Sequence, residues 1–284
     1  MGRNHGGWGG SNLKCAFDHK SAQHYDEWYQ RPGGAQALQL ERELIKRYLE
    51  PRPGERILDI GSGTGIHLEW FRDLGLQVTG LDASPYMLER ARSRLRESVD
   101  LHIGWAEHLP FEDNEFELSA LINTLEFVED PEKALAEAFR VTRRRVVLGV
   151  LNKYAFMAIN RRLKGLIRES IYRQARFFSV WELKEMIARI LGPTPIRWGT
   201  VIFFPLSLSK VARTVEGHPF FQQNPLGAFI AMQVNISYRF ITCKDHLTTP
   251  LHKKHGQLPQ GTLKVYSPPP AWKEKRPPEA ILRP

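Results

Sequence analysis

Cysteine is nearly missing from this chain: Cys15 and Cys243 are the two among 284 residues. Two isolated cysteines with no C-x-x-C pair make neither a zinc site nor a disulfide framework, and a reducing cytoplasm is the expected compartment. No run of 18 apolar residues occurs, so no spanning helix and no transmembrane segment are expected. The first ten residues, Met1 to Gly10, lack an apolar core and are not expected to act as a secretory signal. No internal repeat is visible. What is present, 42% hydrophobic and 25% charged residues, fits a folded soluble domain large enough for one α/β unit with an extension.

Charge is plentiful but lopsided. The net charge is +9, and between Arg140 and Arg189 there are 13 Lys or Arg against three acids, Glu169, Glu182 and Glu185. Such a segment suits an anionic partner (RNA, a membrane surface or an acidic small molecule) or a solvated basic face with no partner.

The informative stretch is Arg56-Ile57-Leu58-Asp59-Ile60-Gly61-Ser62-Gly63-Thr64-Gly65. Its apolar half suits a strand buried on both faces. Its glycines permit a sharp turn and leave main chain open to a ligand. Ile66, Leu68, Trp70, Phe71 and Leu74 then mark one helix face. Strand, glycine turn and helix N-terminus make a nucleotide site in a doubly wound sheet. The spacing is G-x-G-x-G rather than the dinucleotide G-x-G-x-x-G, and Asp59 precedes the turn. A pyrophosphate would be repelled there, whereas a cationic amino-acid ligand would be attracted. A strand 77–82 then ends in Asp82, 21 residues after Gly61, where such folds keep a carboxylate for ribose hydroxyls. Ser84 and Pro85 read as N-cap and first residue of the following helix.

These residues are similar to motif I, E/D-x-G-x-G-x-G, of the class I S-adenosylmethionine-dependent methyltransferases. The chain resembles the Methyltransf_11 and ubiquinone/menaquinone-biosynthesis methyltransferases over roughly residues 20–150, and in outline over 180–240. The resemblance implies S-adenosyl-L-methionine as cofactor, with Asp59 and the Gly61, Ser62, Gly63, Gly65 backbone at its methionine end. Asp82 would hold the ribose, with Ala83 and Met87 also among the cofactor-binding residues. Tyr25, in the segment Ala22 to Trp28, would cover the cofactor or else simply pack its helix on the sheet. Gly104-Trp105-Ala106-Glu107-His108-Leu109-Pro110-Phe111 is similar to the family's G-D-A-E-x-L-P-F, whose second and third residues, here Trp105 and Ala106, meet the adenine, and the resemblance counts Glu107 among the cofactor-binding residues. Trp105 stands where Asp is usual, so a backbone contact at Ala106 or indole stacking would compensate. Asn123 opens the loop whose family counterpart borders both sulfonium and substrate.

Alternation of strands (56–60, 77–82, 101–103, 116–122, 145–151) with helices (65–74, 84–97, 131–142) implies an α/β, doubly wound, seven-stranded, mostly parallel sheet of Rossmann-like methyltransferase type. A helix at 180–191 and two final antiparallel strands, near 195–204 and 229–238, complete it, with a short helix expected within 205–225. The expected organisation is a disordered Gly-rich segment 1–14, a methyltransferase domain 15–242 with a helical N-terminal cover, and a Pro-rich extended tail 243–284. A helical lid insertion at about 152–178 alternates apolar and basic groups, with Tyr154 and Arg161 as candidate substrate contacts.

The loop from Asn123 to Pro131 lacks the N-P-P-Y/F grip of base amino-methyltransferases, and it contains no cysteine for covalent attack on a pyrimidine. No cysteine cluster suits arsenite, and no metal is expected. His67, His108 and Glu126 are the candidate catalytic bases, each with a structural role as its alternative. The expected function is S-adenosylmethionine-dependent methyl transfer (EC 2.1.1.-) to a small, apolar or amphiphilic acceptor. The alternatives are an RNA methyltransferase using the basic 140–189 segment, a non-catalytic S-adenosylmethionine-binding protein, or an NAD-dependent oxidoreductase.

Overall fold

The computed structural model describes residues 19–96, 99–155, 175–203 and 222–236. Five parallel strands carry the site: β1 Arg56–Ile60, β2 Gln77–Asp82, β3 Asp100–Ile103, β4 Phe116–Ile122 and β5 Thr142–Leu151. Two more, β6 Ile196–Val201 and β7 Phe229–Asn235, close the order β3-β2-β1-β4-β5-β7-β6. β7 runs antiparallel to both β5 and β6, and its pairing with β6 is the one that the sequence predicts. The chain steps outward from β1 through β2 to β3, then returns to place β4 on the other side of β1. The β1–β4 boundary is therefore the switch point of the sheet, where loops at the C-terminal strand ends diverge and leave a crevice.

Helices cover both faces. α1 His19–Gln30, α2 Pro32–Leu49, α3 Ile66–Asp73, α4 Pro85–Leu95, α5 Pro131–Val141 and α6 Val180–Leu191 follow in chain order. One core joins Leu58 and Ile60 of β1 to Leu135 and Phe139 of α5 and Leu183 and Ile187 of α6. The other joins Ile57 of β1 to Leu40, Leu44 and Ile45 of α2 and Phe71 of α3. Side chains alternate along a strand, so Asp59 shares the α2 face with Ile57. Burying each of these large aliphatic side chains stabilises the fold by about 1.5–3 kcal/mol, and the apolar run of β1 makes it the central strand.

Helix starts follow their sequence signals. Ser84 accepts a hydrogen bond from the Met87 N–H, and Asp130 accepts one from Lys133. Ser179 and Glu182 form a reciprocal capping box at α6. Most boundaries fall within a few residues of the sequence reading, and two of the differences have a visible cause. α4 stops at Leu95 rather than 97 because Arg96 takes a positive φ of 57°. β5 begins at Thr142 rather than 145, pairing Thr142 with Phe116 across a register shift in β4. The three arginines that open β5 concealed its start. The Gly-rich N-terminus, both cysteines, the expected lid beyond Ala155 with Arg161, the expected helix within 205–225 and the Pro-rich tail lie outside the described residues. No helix among the described residues is long and apolar enough to cross a membrane.

Candidate cofactor and acceptor site

The glycine turn is built from three residues with three different reasons to be glycine. All have positive φ: 75° at Gly61, 53° at Gly63 and 77° at Gly65. A Cβ on Gly61 would lie 2.4 Å from Thr124 Cγ2, so that glycine lets the loop after β4 pack on the turn. Thr124 fixes the packing by donating its hydroxyl to the Ile60 carbonyl at 2.8 Å. A Cβ on Gly65 would meet Leu95 and Ala91 of α4. A Cβ on Gly63 would meet nothing within 4 Å. Space left open over Gly63 is the place for a ligand to approach bare main chain.

Asp82 holds this turn in shape. Its Oδ2 accepts from the Gly63 N–H at 2.8 Å, and its Oδ1 accepts from the Ser84 N–H at 2.8 Å. A carboxylate offers about four acceptor positions, so each oxygen keeps one for a hydroxyl. Burial raises the Asp82 pKa, opposed by those two N–H donors. Asp59 is different. It is 1% exposed, and its Oδ2 has no hydrogen-bond partner. Burial, then the charge of Asp82, push its pKa up to about 8. The two acids that the sequence places on successive strands are thus close enough to repel. An orphaned, buried carboxyl beside open main chain fits a cation next to a polyol, which is the donor set that S-adenosylmethionine requires.

The N-terminal cover is latched onto this turn by a residue that the sequence reading did not single out. Asp26 of α1 accepts from the Thr64 hydroxyl at 2.6 Å and from Arg94 of α4 at 2.5 Å. Arg94 also donates to the Thr64 carbonyl at 3.0 Å. Tyr25, its neighbour, is half-buried with its ring 5.7 Å from that of Tyr29. The available signal was spacing: Asp26 lies one turn after Ala22 on the inner face of α1.

Loops from β3 and β4 meet the turn from the other side. Gly104 donates to the Asp82 carbonyl at 3.1 Å, which sets Trp105, Ala106 and Glu107 beside the end of β2. Glu107 is buried, and its Oε1 accepts from the main-chain N–H of Glu129 (2.9 Å) and Asp130 (3.3 Å). It therefore ties the β3 loop to the β4 loop. Ala83 is half-buried, Met87 and Ser62 are buried, and Ser62 Oγ has no partner. Asn123 has a positive φ of 53° and donates its N–H to the Gly149 carbonyl at 2.7 Å. Its side-chain Oδ1 is buried without a partner.

The three candidate bases fall in unlike surroundings. His67 is buried with Trp70 and Phe71 at ring distances of 6.3 and 6.5 Å. Burial, then the charge of Arg42, lower its pKa to about 3, which keeps it neutral and a poor proton acceptor at neutral pH. His108 is exposed, with Nε2 2.6 Å from Lys133 Nζ. Glu126 is 2% exposed on the loop after β4 and accepts from the Leu151 N–H at 2.6 Å through Oε1. Burial raises its pKa to about 8. At the outer rim, Tyr154 and Trp181 are 47% and 58% exposed, and their rings stand edge to face at 6.1 Å. No group of three or more His, Cys, Asp or Glu among the described residues could hold a metal ion.

Three comparisons bear on this arrangement. A family model described as a methyltransferase domain matches residues 58–149. A protein of Methanocaldococcus jannaschii is 30% identical over 204 residues, covering 71% of this chain and 92% of that one. A demethylmenaquinone methyltransferase of Renibacterium salmoninarum is 41% identical over 102 residues, but the match spans 36% of this chain and 43% of that enzyme. Among solved structures, a Thermotoga maritima S-adenosylmethionine-dependent methyltransferase, described as a possible histamine N-methyltransferase, has a TM-score of 0.61 at 26% identity. That likeness covers 77% of this chain and 97% of the other.

Proposed function

The chain belongs to the class I S-adenosylmethionine-dependent methyltransferases, and on that premise we propose that it transfers a methyl group to a small organic acceptor with an apolar or amphiphilic body. The observation that carries this reading is the open space over Gly63 between the orphaned Asp59 carboxyl and the half-satisfied Asp82. Asp59 takes the methionine ammonium, Asp82 takes the ribose hydroxyls, and the β3 loop at Ala106 borders the adenine. When bound, the cofactor supplies a methyl group on a positively charged sulfur with a good leaving group. The task of the chain is to align the acceptor and exclude water from an in-line displacement.

The acceptor side is the end of the sheet at β4 and β5. An amphiphilic acceptor is supported by the exposed aromatic pair Tyr154 and Trp181 and by Leu226, which is 55% exposed. The alternative of an RNA substrate rests on the basic segment. Its described members are largely engaged already: Arg140 with Glu137 and Asp113, Arg144 with Glu55, Arg145 with Glu50, Arg189 with Glu132. Paired arginines attract phosphate weakly compared with free ones, so the small-molecule reading is preferred.

Isothermal calorimetry with S-adenosylhomocysteine and with NAD tests the proposal. The expected result is binding of the first and not the second; the reverse overturns it. Labelled methyl transfer into lipid, RNA or small-metabolite fractions of a cell extract then separates the acceptor classes.

A further inference from the structure

Two buried carboxyl groups stand beyond the part of the site assigned to the cofactor. Glu126 lies on the loop after β4 with Oε1 fixed by the Leu151 N–H, while Oε2 is buried and meets no donor. Glu41 lies on the inner face of α2, 4% exposed, and its Oε2 is likewise without a partner. The two come from different elements and sense each other: burial, then the charge of Glu126, raise the Glu41 pKa to about 8. The groups around them do not neutralise the pair. Arg42, the next residue on α2, lowers the Glu41 pKa less than burial raises it, and donates instead to the Ile66 carbonyl at 2.5 Å. Main chain supplies the other neighbours, Leu151 from β5 and the Arg176 N–H on the Glu126 carbonyl.

Contrast with Asp26 is instructive. That buried acid has Arg94 at 2.5 Å and Arg90 at 3.8 Å. Glu41 and Glu126 have no comparable ion pair among the described residues. Glu41 Oε2, Glu126 Oε2 and Asn123 Oδ1 are three orphaned oxygens, against one orphaned donor beside them, Arg42 Nε. Leaving a buried oxygen without a partner is costly, and a cationic group with several N–H donors would satisfy these oxygens and hold the carboxyls ionised.

Sheet order says which molecule brings that group. With ribose at β2 and the methionine ammonium at Asp59 on β1, the methyl group faces β4, and the next position along the sheet is the β4–β5 end where Glu126 sits. We propose that the methyl acceptor carries a primary or secondary amine, and that Glu126 together with Glu41 receives its ammonium group. This rests on the methyltransferase reading and narrows its acceptor class. An ammonium must lose a proton before nitrogen can attack. One N–H proton passes to a Glu126 carboxylate, giving a neutral amine and a carboxylic acid. The nitrogen lone pair then forms the N–CH3 bond as the C–S bond breaks. Sulfur takes that bonding pair and becomes a neutral thioether, and the positive charge moves to nitrogen. A phenol or quinol of the same shape offers these oxygens a single O–H and no positive charge.

The test uses the full chain saturated with S-adenosylhomocysteine, whose binding is measured first. Phenethylamine, tyramine and putrescine are compared with phenethyl alcohol, catechol and naphthohydroquinone, by shift of the melting midpoint and by labelled methyl transfer. The expected result is that at least one amine binds and its neutral counterpart does not. Glu126→Gln and Glu41→Gln are each expected to weaken amine binding about tenfold to a hundredfold while S-adenosylhomocysteine affinity stays within about twofold. Failure to bind S-adenosylhomocysteine in the unsubstituted protein sinks the methyltransferase reading itself. Normal binding of it, with neutral acceptors preferred, with no amine bound, or with both glutamine variants unchanged toward the amine, overturns the amine proposal alone. Loss of S-adenosylhomocysteine binding in the glutamine variants also overturns it, by assigning the pair to the cofactor.

Discussion

The β1–β2 end and the β4–β5 end of the same sheet handle buried acid in opposite ways. At β1–β2, Asp82 and Asp26 are tied into the protein, by main-chain N–H groups in one case and by Arg94 and Thr64 in the other. At β4–β5, Glu126 keeps one oxygen bare, and the buried Glu41 of α2, near enough for the charge of Glu126 to raise its pKa, has no ion pair among the described residues. A ligand constant in shape is met by a preformed cradle. The second site is completed by whatever donates to it, so the specificity of the protein is written in unsatisfied groups. Asp59 is the exception that clarifies the rule: among the described residues it is the orphaned acid on the cofactor side, and in the proposed assignment it takes the cationic part of the cofactor.

The largest effect should come from breaking the cradle. Asp82→Ala removes the ribose contacts and also deprives the Gly63 and Ser84 N–H groups of their acceptor. S-adenosylhomocysteine affinity should fall by about 2–5 kcal/mol. Folding stability should fall by about 2–4 kcal/mol, since each buried donor left unpaired costs about 1–3 kcal/mol. Calorimetry and urea unfolding measure the two separately. The two main-chain hydrogen bonds to the Asp82 carboxylate are the reason that stability should fall along with affinity. Asp82→Asn keeps one acceptor oxygen, so it should retain more stability than the alanine variant while still losing affinity.

Two neighbouring glycines sharpen the contrast between shape and room. Gly61→Ala drives a methyl group into Thr124 at a positive φ and should destabilise the fold by about 2–4 kcal/mol. Gly63→Ala meets no protein atom, so only its backbone strain, about 1–2 kcal/mol, should appear in the unfolding curve, while cofactor affinity drops at least as much as for Gly61→Ala. Equal stability losses in the two variants would mean that the space over Gly63 is not where a ligand lies.

Asp26→Ala should release α1 from the turn. Loss of its charged hydrogen bonds is worth about 1.5–3 kcal/mol, and the Arg94 side chain, one quarter exposed, recovers part of that from water. Faster hydrogen exchange in residues 19–30 than in α2 is the measurement that checks it.

A pH slope should also separate the two ends of the sheet. Glu41, Asp59 and Glu126 have pKa values raised on folding from 4.5, 3.8 and 4.5 to about 8. Between those limits the folded protein binds more protons than the unfolded chain, so its stability falls as pH rises and is fully regained only below the unfolded values. The melting midpoint of the ligand-free protein should therefore be lower at pH about 8 than at about 5.5. Glu126→Gln should flatten that slope. An unchanged slope in that variant would mean that Glu126 is not held protonated in the empty site.

Much of this was legible before any coordinates. The apolar run of β1, the glycine spacing, the acid that ends β2 and the Ser84-Pro85 helix start each state a local rule, and local rules survive in the fold almost to the residue. Local sequence also determined the order of strands and helices, because periodicity and caps act over one or two turns. It did not reveal that Asp26 and Glu41 matter. Each sits at an inward position of an amphipathic helix, a visible oddity, but its meaning depends on which groups oppose it. Arg94 stands 68 residues beyond Asp26, and Leu151 lies 25 beyond Glu126. Tertiary structure alone decided which buried charges are answered within the chain and which are left for a ligand, because pairing across that distance is set by how helices pack on the sheet and not by spacing along it.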